Sequence, residues 1–157
     1  MGFFERLNGT RRPPSGVTPR TAAEVRDAVL AVSGPGTPYR VRRAAPSEKA
    51  DLVADWRIRH RSSGEDVDLR VSIRMRLDPH RREVRALQEQ RSTAKGRLSA
   101  SREYGRGPGF SVEWTYERGP DGRRRRVTSF DTRDLRNALR EAVVGAGWTW
   151  RPRLLKL

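Results

Sequence analysis

Val67-Asp-Leu-Arg-Val-Ser-Ile-Arg-Met-Arg-Leu77 is the stretch that decides the fold. Every odd position in it is apolar, and the even positions Asp68, Arg70, Ser72, Arg74 and Arg76 are polar. Side chains alternate across a strand, so a period of two specifies a β-strand with one face buried and one in water. Asp78-Pro79-His80-Arg81-Arg82 then reads as a turn, because Pro presets its φ and the Asp carboxylate can accept from the backbone N–H groups that follow. Residues 83–90 return as the hairpin partner.

Upstream, Leu52, Ala54, Trp56 and Ile58 alternate with Val53, Asp55, Arg57 and Arg59, and Tyr39 and Val41 alternate with arginines. Downstream, Phe110, Val112, Trp114 and Tyr116 alternate again, Gly119-Pro120-Asp121-Gly122 makes a turn, and residues 124–130 close a second hairpin. Between the two hairpins, residues 91–109 are rich in Ser, Arg and Gly and carry no period, which predicts a mobile loop.

Two helices flank the strands. Thr21-Ala-Ala-Glu24 has the capping-box pattern, in which the Thr hydroxyl and the Glu carboxylate each satisfy a free backbone N–H. Val25, Ala28, Val29 and Val32 follow at helical spacing, and Gly34-Pro35-Gly36 stops a helix over 21–32. Asp131 or Thr132 caps a second helix, whose apolar stripe is Leu135, Ala138, Leu139, Ala142, Val143 and Ala146 and whose end falls at Gly145 or Gly147. Residues 148–157 lie extended over the domain, with Trp148 and Trp150 locking the helix end onto the core. The Arg- and Pro-containing residues 1–19 read as a flexible arm. The expected architecture is α+β: a single domain over 20–157, with an N-terminal helix, five or six mostly antiparallel strands in one curved sheet, and a C-terminal amphipathic helix packed on that sheet.

Composition bounds the function. Thirty-four Lys+Arg against 19 Asp+Glu leave +15 over 157 residues, and only Lys49, Lys95 and Lys156 are lysines, so 31 are arginine. Leu, Ile, Val and Phe make up about a fifth of the chain, which allows a modest core. No run reaches the roughly 20 apolar residues of a membrane span. The first residues lack a signal-peptide pattern, so a cytoplasmic protein without a transmembrane segment is expected. With no cysteine and two histidines, disulfides, thiol catalysis and zinc knuckles are excluded, and no cofactor is expected. His60 and His80 are the only imidazoles, and the chain contains no G-x-S-x-G elbow, P-loop or G-x-G-x-x-G. The expectation is a non-enzymatic protein.

Arginine carries the remaining chemistry. Guanidinium is always charged and its planar fork suits phosphate. Arg123, Arg124, Arg125 and Arg126 follow the second turn, and Arg70, Arg74 and Arg76 lie on the polar face of the 67–77 strand, joined by Arg57, Arg59 and Arg85 from its neighbours. These are the candidate polyanion contacts; the alternative for Arg123–Arg126 is a solvated strand end. Asp55, Asp68, Glu113 and Glu117 share the outward parity, which predicts cross-strand ion pairs with the same arginines. Trp56, Phe110, Trp114 and Tyr116 have the apolar parity, which argues against a base-stacking platform. Glu65, Asp66 and Asp68 lack calcium-loop spacing and read as a charged strand entrance. Arg102-Glu-Tyr-Gly-Arg-Gly-Pro-Gly109 resembles Gly- and Arg-rich segments that follow RNA backbones, in a single copy.

Leu52-Val-Ala-Asp-Trp56, Met75-Arg-Leu-Asp-Pro79, Glu83-Val-Arg-Ala86 and Ala146-Gly-Trp-Thr-Trp150, with the start Met1-Gly-Phe-Phe-Glu-Arg-Leu7, together resemble a family of small uncharacterised proteins from high-GC bacteria. The resemblance spans nearly the whole chain. It implies a shared single-domain fold and transfers no functional residue. Two functional readings stand: binding of a polyanion such as nucleic acid by arginine neutralisation of its backbone, or a protein–protein interaction module, such as a homodimer joined through a sheet edge or the C-terminal segment.

Overall fold

The computed structural model describes residues 8–62, 65–96, 100–106 and 131–157. In chain order its elements are α1 (Ala22–Leu30), β1 (Arg40–Arg43), a 3-10 turn (Pro46–Glu48), β2 (Leu52–Ser62), β3 (Glu65–Asp78), β4 (Glu83–Gly96), β5 (Ala100–Arg106), α2 (Arg133–Gly145) and β6 (Thr149–Arg153). β1 to β5 are antiparallel neighbours in sequence order, and β6 adds to β4 in parallel. β5 and β6 share one edge of β4: β5 pairs with residues 89–95 of it, and β6 with residues 83–87. The architecture is the expected α+β domain, a mostly antiparallel open sheet with one helix from each end of the chain.

β3 pairs with both neighbours along most of its length, from Glu65↔Ser62 to Met75↔Leu52 on one side and from Glu65↔Gly96 to Asp78↔Glu83 on the other. Its apolar parity is the core face: Leu69, Val71, Ile73 and Met75 are essentially inaccessible, beside Leu52, Ala54 and Trp56 of β2 and Val84 and Ala86 of β4. Val25 and Val29 of α1, and Leu135, Leu139 and Val143 of α2, complete the cluster with Trp148 and Trp150. Tyr39 meets Trp56 edge to face, with ring centroids 5.5 Å apart. Two glutamines also lie on this face, Gln88 opposite Ile73 and Gln90 opposite Val71. Both are buried.

Local chemistry sets the helix ends. The Thr21 hydroxyl accepts from the Glu24 N–H at 3.3 Å while the Glu24 carboxylate accepts from the Thr21 N–H at 2.9 Å, so the expected capping box forms. At α2 the N-cap position, Thr132, makes no side-chain capping bond, and the preceding Asp131 carboxylate accepts from the Arg133 N–H at 2.9 Å instead. The same helix ends where Gly147 takes φ +80° and the N–H groups of Gly147 and Trp148 reach back to the carbonyls of Val144 (3.0 Å) and Val143 (3.1 Å). That pair of bonds is the left-handed glycine cap, and it turns Trp148 onto the core. The Trp148 indole N–H donates to the Arg20 carbonyl at 2.8 Å.

Three sequence expectations change. Residues 91–96 prolong β4 and residues 100–106 form β5, so the stretch read as a loop over 91–109 is largely paired strand. What specifies it is backbone pairing with the far end of β3 and between β4 and β5, which leaves no mark on the hydrophobic pattern. Residues 148–157 do more than lie over the domain, since β6 is a full member of the sheet. Part of the stretch read as a flexible arm is tied to it, since Arg11 and Trp150 exchange both backbone hydrogen bonds, at 2.8 and 2.9 Å; just past the arm, the Arg20 N–H donates to Ala146 O at 2.9 Å. The open edge of β6 supplies the unpaired groups that the arm satisfies. The expected second hairpin, at 110–130, lies outside the described residues.

Candidate anion-binding face

The even-numbered side chains of β3 point away from the core, and the register lines them up with their neighbours in rows across the sheet. One row is Arg57↔Arg70↔Arg91, with Tyr104 at the next register position on β5. Two residues further along the strands, roughly 6.8 Å, runs the row Asp55↔Ser72↔Glu89. Together the two rows line a depression of about 420 Å³ whose floor is the sheet at Trp56 and Val71. Three cations and two carboxylates therefore face one concavity, with a serine hydroxyl between the carboxylates.

Their engagement differs. Arg57 binds Asp68 in a two-pronged ion pair at 2.7 and 3.1 Å. That pairing holds the Asp68 carboxyl below its ordinary range and raises the Arg57 guanidinium above its own. Asp55 uses Oδ2 on Arg42 at 3.0 Å, and Glu89 uses Oε1 on Arg74 at 3.0 Å. Arg70 has 61% of its side chain exposed, and its recorded ion contact is 3.8 Å, to the Asp68 oxygen already held by Arg57. Arg70 is thus more available than Arg57 beside it.

The sequence-derived candidates separate on this face. Arg70 stands in the depression. Arg74 donates to the Glu48 carbonyl at 3.2 Å as well as to Glu89, and Arg76 donates to the Lys49 carbonyl at 2.9 Å. Both fasten the β1–β2 connection onto the outer face as a strap. Arg42 joins them, with both terminal nitrogens on the Glu48 carboxylate at 2.7 and 2.8 Å, and these bonds with the Ala45 N–H hold Glu48 at a pKa of about 2. Val53 and Leu87 belong to this face by register yet are about 1% exposed. Both lie in the Arg42 and Arg74 row, which links the burial to the side of the sheet that these arginines and the strap occupy. The sequence, read by parity alone, places Val53 in solvent.

Arg85 pairs with Asp78 (3.1 Å) and with the buried Glu83 (3.0 Å), whose second oxygen takes Arg151 at 2.8 Å. The expected cross-strand ion pairing thus operates at Asp55 and Asp68 and extends to the far end of the sheet. Arg123, Arg124, Arg125 and Arg126 lie outside the described residues, as do Glu113 and Glu117. His80 is exposed in the β3–β4 turn, and His60 is on β2 opposite Val67. Among the described residues, no group of three His, Asp or Glu is placed to hold a metal ion, and no helix is long and apolar enough to cross a membrane.

Sequence reasoning missed a second cationic feature. Arg133, Arg136 and Arg140 fall at helical spacing on α2. Burial first, then the like charges of Arg140 and Arg133, lower the pKa of Arg136. The apolar stripe of the same helix drew the reading and left its basic stripe unremarked. The missed relation at the sheet is Arg91, because its place opposite Arg70 depends on β4 continuing past Gln90. No family model, curated protein or solved structure matches the chain.

Proposed function

We propose that this chain is a non-enzymatic, cytoplasmic binding domain for a polyanion, with nucleic acid as the ligand, and that the outer face around Arg70 makes the contact. One observation carries the reading: three arginines stand shoulder to shoulder across adjacent strands at the rim of a depression. Like charges directly opposite one another destabilise a sheet, and a bound phosphate chain relieves that repulsion by sitting among them. Backbone neutralisation releases counterions, so affinity falls steeply with salt and depends little on duplex sequence. Arg123 to Arg126 extend the same basic chemistry and join Arg70 as proposed contacts, while Arg74 and Arg76 contribute by holding the strap.

The test is binding of mixed-sequence single- and double-stranded oligonucleotides over a salt series, for the parent, for Arg70→Ser and for Arg123–Arg126→Ser. Micromolar binding with a steep salt slope that both variants flatten supports the reading. Binding indifferent to both variants overturns it.

The alternative reading, self-association through a sheet edge, finds less support at β1. The Ser33 hydroxyl accepts from the Val41 N–H at 2.9 Å and donates to the Val41 carbonyl at 3.5 Å, so it occupies the outward backbone groups of that residue. Concentration-dependent mass that persists at high salt favours self-association.

A further inference from the structure

We infer that the depression between the two outer-face rows seats one nucleotide of a single-stranded chain, its phosphate on the Arg57–Arg70–Arg91 row and its amine-bearing base edge on Asp55. The inference rests on the polyanion reading and deepens it. A site that only neutralised phosphate has no use for carboxylates, yet Asp55 and Glu89 line the same concavity as the three arginines. Both are anchored from outside it, Asp55 by Arg42 and Glu89 by Arg74. Those anchors hold the two carboxylates in place as fixed hydrogen-bond acceptors.

Asp55 has a second oxygen, Oδ1, that takes no hydrogen bond among the described residues, and the Ser72 hydroxyl beside it is likewise open among them. The concavity therefore offers donors along one row and an acceptor along the other. A nucleotide carries the complementary pair, an anion at one end and a base edge at the other. An ionised carboxylate accepts from the exocyclic amine of cytosine and meets only an acceptor at the corresponding thymine oxygen. At about 420 Å³ the space has the size of a small-ligand site, on the scale of one nucleotide.

Short single-stranded oligo-dC and oligo-dT, compared at fixed salt and mildly alkaline pH by fluorescence anisotropy, test the inference in the full chain. The parent is expected to bind oligo-dC about fivefold more tightly, at the lower end of a good base-edge contact. Asp55→Asn and Asp55→Ala are each expected to bring the ratio close to one while the salt slope persists. Asn keeps the size of the side chain and adds a donor that thymine can use, so the ratio is read without loss of packing. Equal affinity of the parent for the two oligomers, with a steep salt slope, overturns the inference and leaves the polyanion reading standing. A preference that survives both variants also overturns it, since the discrimination then resides elsewhere. No binding of either oligomer overturns both.

Discussion

Arg57 and Arg70 are direct cross-strand partners on the outer face, and they share one carboxylate unequally: Asp68 lies 2.7 Å from Arg57 and 3.8 Å from Arg70. Arg91 flanks Arg70 on its other side. Arg70 therefore stands between two like charges and is more weakly compensated than Arg57.

Replacing it exposes the trade between stability and binding. Arg70→Thr removes the central charge and installs a β-branched residue suited to an open sheet face. The urea midpoint is expected to rise, corresponding to roughly 0.5 kcal/mol, while oligonucleotide affinity falls and the salt slope drops by about one ion. A lower midpoint would mean that Arg70 serves the fold, and the argument from repulsion would fail.

Glu48 gives the strap a pH dependence of definite sign. Its pKa is about 2 in the folded chain against an ordinary value of 4.5, chiefly through the Arg42 guanidinium and then the Ala45 N–H. A carboxyl depressed on folding contributes stability that is complete above about 4.5 and is lost as pH falls from there toward 2. The expected outcome is an unfolding midpoint that declines across that window in the parent and declines less in Glu48→Gln. Parallel curves would show that the Arg42–Glu48 bond contributes nothing to stability. Because Arg74 also donates to the Glu48 carbonyl, the variant tests whether the strap depends on the carboxylate or on its backbone.

How far the sequence carried the reading depends on where a feature leaves its mark. The β3 face, the capping box and the Asp78 turn are local: Val67 to Leu77, Thr21 with Glu24, and Asp78 accepting from His80 and Arg81 each record their conformation in their own spacing. β5 and residues 91–96 of β4 are held by neighbours, so Ser, Arg and Gly there give no period. The burial of Val53 and Leu87 is accompanied by a strap fastened to that face from residues 45–49 through Arg42, Arg74 and Arg76, contacts between segments up to 27 residues apart. Arg70 was legible as an outward charge; its place in a row was not, because a row needs the register of three strands.

Gly147 is expected to be intolerant of any side chain. Its φ of +80° is left-handed, and a Cβ there would lie 2.7 Å from Pro19 Cα and 3.0 Å from Thr18 O, both backbone atoms. Gly147→Ala thus combines conformational strain with a clash against the tethered N-terminal segment, and costs about 2 kcal/mol or more. Its specific mark is faster hydrogen exchange at the Arg20 amide, which donates to Ala146 O beside the glycine. Unchanged protection at Arg20, with a full-sized loss of stability, would place the damage in the helix cap alone.

Gln90 is expected to be a site where apolar replacement stabilises. Its side chain is 2% exposed on the core face opposite Val71, and neither Oε1 nor Nε2 has a hydrogen-bond partner among the described residues. A buried amide left unmade costs about 1–3 kcal/mol, whereas an apolar group of similar shape carries no such penalty. Methionine has nearly the same length and the flexibility to fill an irregular space. Gln90→Met is expected to raise stability by about 1 kcal/mol, a shift of roughly 2–4 °C in Tm for a chain of this size. Thermal and urea unfolding measured together check it. A fall in both would mean that the amide is satisfied in solution by a group that methionine cannot replace, and would make Gln90 a polar contact of the core.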